Sequence, residues 1–248
     1  MPRAKSTWRI RATTGCRSST RTAASCASSA APASWTRARG ARAMAAASST
    51  SRGAFVTMWG RFESTGGELG APSVFYGPRS LVVGQDGNIY VMDTGNKRVQ
   101  LFAPDGQFVA QYGGGGVIEG RLDEPVGLAQ DSAGNWYVAD TWNRRIQKFD
   151  RNFVYLTQWS IDGWASQSVV NKPALAVDGA RNIVYAVDPE NYRVLAFNTD
   201  GNFRATFGLY GNDAQSFTLP TGIAVGLDGR IYVADGDSHR IMVFSPLQ

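Results

Sequence analysis

Four aspartates recur in one register along the chain: Asp93, Asp140, Asp188 and Asp235, spaced 47, 48 and 47 residues apart. Five residues after each stands an arginine: Arg98, Arg145, Arg193 and Arg240. A carboxylate and a guanidinium at fixed spacing can form a bidentate ion pair, and a ring of four such pairs resembles a polar binding site. A group required at the same place in every unit, however, serves the unit. An aspartate closing a strand accepts turn N–H groups, so we read these eight residues as structural. The residues that vary inside the same Asp-to-Arg turn are better candidates for recognition: Lys97, Trp142, Arg144, Glu190, Tyr192, Asp237 and His239. Trp164 and Tyr210, in the connections between units, are expected to reach the same end. Exposed aromatics beside mixed charges compose a recognition surface; ordinary loop variation is the plain alternative.

Covalent and metal chemistry have few residues to draw on. His239 is the single histidine, and the two cysteines, Cys16 and Cys26, fall in the first 52 residues. A zinc site of nitrogen and sulfur ligands cannot be assembled from the rest. No Gly-x-Ser-x-Gly nucleophile elbow occurs. Gly113-Gly-Gly-Gly116 lacks the Lys-Ser/Thr of a phosphate-binding loop and the helix after it. No catalytic residue and no cofactor are assigned, and an axial calcium held by carboxylates and carbonyls is left as an alternative.

The elements that must position these residues repeat with the aspartates. Asn88-Ile-Tyr-Val-Met-Asp93 returns as Asn135-Trp-Tyr-Val-Ala-Asp140, Ile183-Val-Tyr-Ala-Val-Asp188 and Arg230-Ile-Tyr-Val-Ala-Asp235. Before each lies a small and apolar run: Leu81-Val-Val, Gly127-Leu-Ala, Leu175-Ala-Val and Gly222-Ile-Ala-Val. After each arginine a third run ends in Phe102, Phe149, Phe197 or Phe244. A fourth is expected from Phe108, Phe153 or Phe203 to Tyr112, Trp159 or Phe207. Period-two alternation marks strands, and units of about 47 residues with four strands are propeller blades. The units lie near 77–113, 124–159, 172–208 and 219–248, and a lone fourth strand, Phe55 to Gly60, precedes them. The expectation is an all-β propeller with four blades. It forms an open arc unless Val56 to Met58 pairs with Ile241 to Val243 and contracts it into a ring.

The phrases Pro-x-Gly-Ile-Ala-Val, Tyr-Val-Ala-Asp-Thr and Asn-x-Arg-Ile resemble NHL repeats over residues 77 to 248. Departures are mild: Pro189 and Gly236 replace the threonine, and Ser238 replaces the asparagine. The resemblance implies a bacterial, six-bladed propeller used mainly for binding, with a minority of relatives acting as lyases or hydrolases. It also implies that a longer parent carries an upstream domain, enzymatic or membrane-associated.

Residues 1 to 53 differ in composition. The first 52 hold ten Lys or Arg and no acid, so the formal charge of +5 hides a remainder with fifteen basic and twenty acidic residues. We expect this segment to be disordered and translated out of frame. Reading across codon boundaries, Ser6-Thr-Trp-Arg-Ile-Arg11 permits Tyr-Val-Ala-Asp-Thr, and the segment conceals two further units, giving six in the parent. No run of eighteen apolar residues occurs to span a membrane. The acidic balance of the repeats disfavours nucleic acid, although Lys97, Arg144 and Arg145 form a local basic patch. The expected function is a non-enzymatic module presenting one loop face to a protein, peptide or glycan. A metal-dependent propeller lyase or hydrolase and an RNA-binding propeller are the alternatives.

Overall fold

The computed structural model describes residues 54–166 and 172–247. The readings made for residues 1–53, including the concealed units, lie outside the described residues. A short parallel pair, β1 (Arg61–Phe62) with β2 (Val74–Phe75), comes first. Four antiparallel sheets then follow in chain order. Blade 1 is β3 (Ser80–Val83), β4 (Ile89–Asp93), β5 (Arg98–Phe102) and β6 (Phe108–Gly113). Blade 2 is β7 (Pro125–Gln130), β8 (Trp136–Asp140), β9 (Arg145–Phe149) and β10 (Tyr155–Ser160). Blade 3 is β11 (Leu175–Asp178), β12 (Ile183–Asp188), β13 (Arg193–Asn198) and β14 (Phe203–Phe207). Blade 4 is β15 (Pro220–Val225), β16 (Ile231–Asp235) and β17 (Arg240–Phe244). This is an all-β propeller arrangement of four blades. Its helical content among the described residues is three short 3-10 turns.

Tight turns with built-in locks set the hairpins. In blade 1 the Asp86 carboxylate accepts bonds from the Asn88 N–H, the Asn88 side chain and the Tyr90 hydroxyl. In blade 2 Asp131 holds Asn135 and Tyr137 in the same way. Gly87 and Gly134 supply the left-handed residue that these turns need, at φ +78° and +88°.

The core is divided into seams between blades. Each blade presents one face forward and one backward, because side chains alternate along a strand. The forward face of blade 1 (Tyr90, Met92, Val99, Leu101) meets the backward face of blade 2 (Leu128, Trp136, Val138, Phe149). Blade 2 offers Tyr137, Ala139 and Ile146 to Leu175, Val184, Ala186 and Phe197 of blade 3. Blade 3 offers Tyr185, Val194 and Ala196 to Ile231, Val233 and Met242 of blade 4. One residue from the connecting loop plugs each seam: Leu122, Trp164 and Phe217.

The first two seams, and the contact of Trp59 with blade 1, are also matched at the rim. Trp159, on the last strand of blade 2, lies over Gly201 in the β13–β14 turn, where a Cβ would sit 2.6 Å from the indole. Trp59 lies over Gly106 of blade 1 in the same way, at 2.7 Å. At the intervening seam the fourth-strand aromatic is the smaller Tyr112, and a phenylalanine, Phe153, takes the glycine's place. The two rings stack at 4.5 Å and 9°. Phe153 therefore does not begin the fourth strand as the sequence suggested. It holds the left-handed turn position at φ +60°, and β10 starts at Tyr155. A tyrosine leaves room that a tryptophan would fill, and the phenylalanine occupies it despite its backbone cost.

Two expectations about the ends need reporting. Phe55 to Gly60 forms no strand, and among the described residues no third strand lies beside it; Phe55, Val56 and Met58 are exposed. β17 is not paired with Val56 to Met58, so the contracted ring does not form, and blade 4 has three strands among the described residues. The inner strands β3, β7, β11 and β15 pack in chain order. Blades 1 and 4 are left with open outer faces, marked by Leu81 and Val83 at one end and by Ile241 and Val243 at the other.

Gly201→Ala tests the rim packing. It places a Cβ against Trp159 at a residue with φ +89°, and overpacking plus left-handed strain should together lower unfolding stability by about 2–4 kcal/mol. Gly87→Ala, with open space around it, should cost only the backbone share, about 1–2 kcal/mol. Urea denaturation of both variants checks the difference, and equal losses would refute the rim contact.

Candidate functional site

The repeated Asp and Arg form one lattice in each blade, with the aspartate buried throughout and the arginine partly exposed in blades 3 and 4. Arg98, Arg145, Arg193 and Arg240 donate through Nε to Oδ2 of Asp93, Asp140, Asp188 and Asp235, at 2.9, 2.7, 2.8 and 3.0 Å. The pairing rests on this single arm, not on the two parallel bonds anticipated from sequence. In three blades another arm reaches back to the loop before the blade: Nη2 donates to the carbonyls of Val74, Arg121 and Ser216. The other carboxylate oxygen accepts N–H groups of that loop, from Tyr76, Asp123, and Thr218 with Leu219. Asn96 and Asn143 join the lattice from the turn, and Gln100 and Gln147 from the third strand.

The lattice does not give every carboxylate the same acidity. Burial raises Asp140 above the ordinary carboxylate value, against the opposing bonds from the Asp123 N–H, Asn143 and Arg145. Asp235 also feels burial, but the N–H groups of Leu219 and Thr218 and the Arg240 guanidinium outweigh it and hold its carboxyl low. A group depressed in the fold contributes stability above its unfolded pKa and loses it as pH falls. A raised carboxyl does the reverse.

The lattice fixes a turn whose variable residues all take one conformation. Lys97, Arg144, Tyr192 and His239 occupy the same position of successive blades, each left-handed at φ 56°, 52°, 55° and 53°. The turn closes behind each through its N–H, which donates to the carbonyl of Thr94, Thr141, Pro189 or Gly236. Four side chains are thus launched from equivalent points at one end of the blades. Arg144 and His239 are exposed. Lys97 turns toward the next blade and pairs with Asp123 at 2.8 Å. Tyr192 is covered by Tyr210 at 4.8 Å, and Tyr210 is largely exposed.

Trp142, two residues after Asp140, is 49% exposed. Beneath it lies a group that the sequence reading missed. The Lys172 ammonium sits 5.3 Å from the Trp142 ring centroid and 3.7 Å from Glu124 Oε2, yet Lys172 is only 6% exposed and its Nζ makes no hydrogen bond among the described residues. Burial pushes this ammonium below the ordinary lysine value. Glu124 pulls against that shift, and the charge of Arg79 adds to it. The signal was available: Glu124 and Lys172 each precede the proline that opens an inner strand, where the other blades carry Gly77 and Leu219.

Trp164 is the corrected member of the set. It is 2% exposed and packs in the seam between blades 2 and 3. Its loop turns inward in a short 3-10 segment, Asp162–Ser166, and so contributes to stability rather than to the face. Among the described residues no group of three or more His, Cys, Asp or Glu side chains converges as metal ligands would.

The family model described as NHL repeat matches residues 75–102, 122–149 and 217–244. No curated protein sequence matches the chain. Among solved structures it is similar to a streptogramin B lyase, at 16% identity and a TM-score of 0.51, covering 69% of this chain and 51% of that one. A second is the virginiamycin B lyase of Staphylococcus aureus in a catalytically inactive form with quinupristin, at 15%, 0.52, 73% and 58%. A third is a protein from Bacteroides uniformis described as a putative 6-phosphogluconolactonase, at 16%, 0.51, 69% and 51%. The chain spans about half to three-fifths of the length of these structures, and the likeness shows the fold.

The two titration directions give opposite expectations. Asp235→Asn should flatten the loss of stability on acidification below about pH 4, where free carboxyls titrate. Asp140→Asn should steepen it, because wild-type Asp140 gains stability on protonation. Denaturation midpoints between pH 2 and 6 check both slopes, and parallel changes would refute the assignment.

Proposed function

On the premise that this chain is a four-bladed NHL-repeat β-propeller, we propose that it is a binding module and not an enzyme, taking a peptide segment of a partner protein at the turn face of blades 1 to 3. The observation that supports this most is Trp142. It is a large aromatic held half-exposed on a turn whose backbone is fixed by the buried Asp140–Arg145 lattice. An amphipathic ring presented rigidly loses little entropy on binding and makes a natural anchor.

Around it the surface is mixed in charge. Arg144 follows Trp142 on the same turn and is exposed, Lys172 lies beneath the Trp142 ring, and the Lys97–Asp123 pair connects blades 1 and 2. Tyr210 extends the aromatic surface toward blade 4. Lys172 adds chemical selectivity. A buried ammonium lacking hydrogen bonds is costly, and a carboxylate on the ligand, reaching down beside Trp142, would supply the missing acceptor. The favoured ligand is therefore a segment with an apolar or aromatic side chain next to an aspartate, glutamate or free carboxy-terminus. The lyase and lactonase reading draws on the family resemblance and the structural likeness, and the chain offers it a single histidine, His239, exposed on the turn of blade 4.

A synthetic peptide array probed with the full chain tests the proposal. Hits should be enriched in acidic, apolar sequences, and Trp142→Ala should weaken them at least tenfold. Lys172→Met should abolish the preference for acidic residues. It should also leave stability unchanged or raise it by about 1 kcal/mol, since an apolar side chain replaces a poorly satisfied buried charge. Hits indifferent to both substitutions would overturn the reading, and selective capture on a glycan array instead would replace the peptide by a sugar.

A further inference from the structure

The segment Phe55 to Gly60 and the edge of β17 are complementary halves of one structural element. The sequence Phe55-Val-Thr-Met-Trp-Gly60 has the form of the fourth strands, Phe108-Val-Ala-Gln-Tyr-Gly113 and Phe203-Arg-Ala-Thr-Phe-Gly208. Gly60 already has the conformation in which those strands end: φ is +99°, against +100° at Gly113 and +99° at Gly208. Trp59 is docked over Gly106, as Trp159 is docked over Gly201. The segment therefore occupies the position, relative to blade 1, of the last strand of a preceding blade, and that blade is absent from the described residues. Among the described residues blade 4 has no fourth strand beside β17, and a groove of about 850 Å³ lies there, lined by Thr206, Phe207, Val243 and Phe244 among others.

The two open faces match in the same sense. Tyr185, Val194 and Ala196 are fully buried in blade 3 because blade 4 covers them. Their counterparts at the same distances from the repeated aspartate are Tyr232, Ile241 and Val243 of blade 4, of which Ile241 is 66% exposed. On the backward side, Leu128 and Leu175 are buried at 4% and 8%, while their counterpart Leu81 is 66% exposed. The backward face of blade 1 is shaped to follow a blade, and the forward face of blade 4 to precede one.

We propose that two copies of this chain join head to tail. Phe55 to Gly60 of each supplies the fourth strand of the other's blade 4, and Leu81 and Val83 of one pack on Tyr232, Ile241 and Val243 of the other. The register follows from blade 2, where Arg145 opposes Ser160 and Lys148 opposes Thr157: Arg240 faces Gly60, Met242 faces Met58, and Val243 faces Thr57 of the partner copy. The side chains agree with it. Arg98 and Arg145 each donate through Nη1 to a glutamine on the fourth strand, Gln111 and Gln158. Arg240 gives the same arm to the Asn212 carbonyl of its own chain, and the position that would carry the glutamine is Met58. Nothing polar is stranded by the exchange. Strand addition satisfies an open edge through main-chain bonds, mutual exchange of one element is an economical route to a dimer, and eight blades are within the range that rings adopt.

The test uses the full chain carrying Cys16→Ser and Cys26→Ser. One sample also carries Thr57→Cys and another Val243→Cys; mixed and oxidised, they should give a covalent species of twice the 26.7 kDa chain mass. Val56→Cys with Val243→Cys, one residue out of register, should give at least tenfold less. The unmodified chain should sediment as a dimer at micromolar concentration, and Val56→Pro, which removes a ladder donor, should shift it to monomer. A monomeric wild-type chain, equal crosslinking at both registers, or association unaffected by Val56→Pro would each overturn the proposal. So would a crosslink formed within one chain carrying both Thr57→Cys and Val243→Cys, since that is self-closure.

Discussion

Each repeat is held by a carboxylate that faces two ways. Its one oxygen holds the arginine five residues on, within the blade. In blades 1, 2 and 4 its other oxygen gathers N–H groups from the loop that arrives from upstream. Almost everything else depends on this. The apolar seams are non-directional and would tolerate a blade sliding against its neighbour. The hydrogen-bonded lattice does not, because a shift of one residue would leave buried charges without partners. Hydrophobic burial supplies the driving force, and the aspartate fixes the angle and height at which successive sheets meet.

The same lattice explains why a binding surface can be carried on turns. Loops are ordinarily the mobile part of a fold, yet the turn after each aspartate is pinned at its start by the carboxylate and at its end by the arginine. Between them a left-handed residue points its side chain outward in a conformation that does not vary from blade to blade. The backbone of the turn is the same whichever side chain stands there, Lys97, Arg144, Tyr192 or His239. Under the proposed function Trp142 can serve as an anchor because its neighbours do the holding.

Much of this was legible in the sequence because its causes are periodic. The register of Asp and Arg, the strand alternation and the aromatic ends of fourth strands all repeat, and a repeat exposes its own rules. What escaped was aperiodic. Trp164 reads as a surface residue because the connections between units open at the same end as the turns. Its 3-10 turn, which no neighbour shares in that form, folds it inward. Phe153 reads as a strand start because phenylalanine begins strands elsewhere in the chain, and only its relation to Tyr112, 41 positions earlier, shows why it stands in a turn. Lys172 was missed because its meaning lies in burial beside Trp142, which spacing alone does not disclose.

The matched rims have an evolutionary side. A tryptophan at the end of one blade goes with a glycine in the next, and a tyrosine with a phenylalanine. The two members of each pair belong to different blades. A gene segment cut at blade boundaries and duplicated or transplanted would therefore separate partners, setting tryptophan against phenylalanine or tyrosine against glycine. A segment cut in mid-blade, from one 3–4 turn to the next, would carry the pairs intact. The heritable module of such a chain is the seam, and the sheet that the eye picks out as the repeating unit is made of two half-modules.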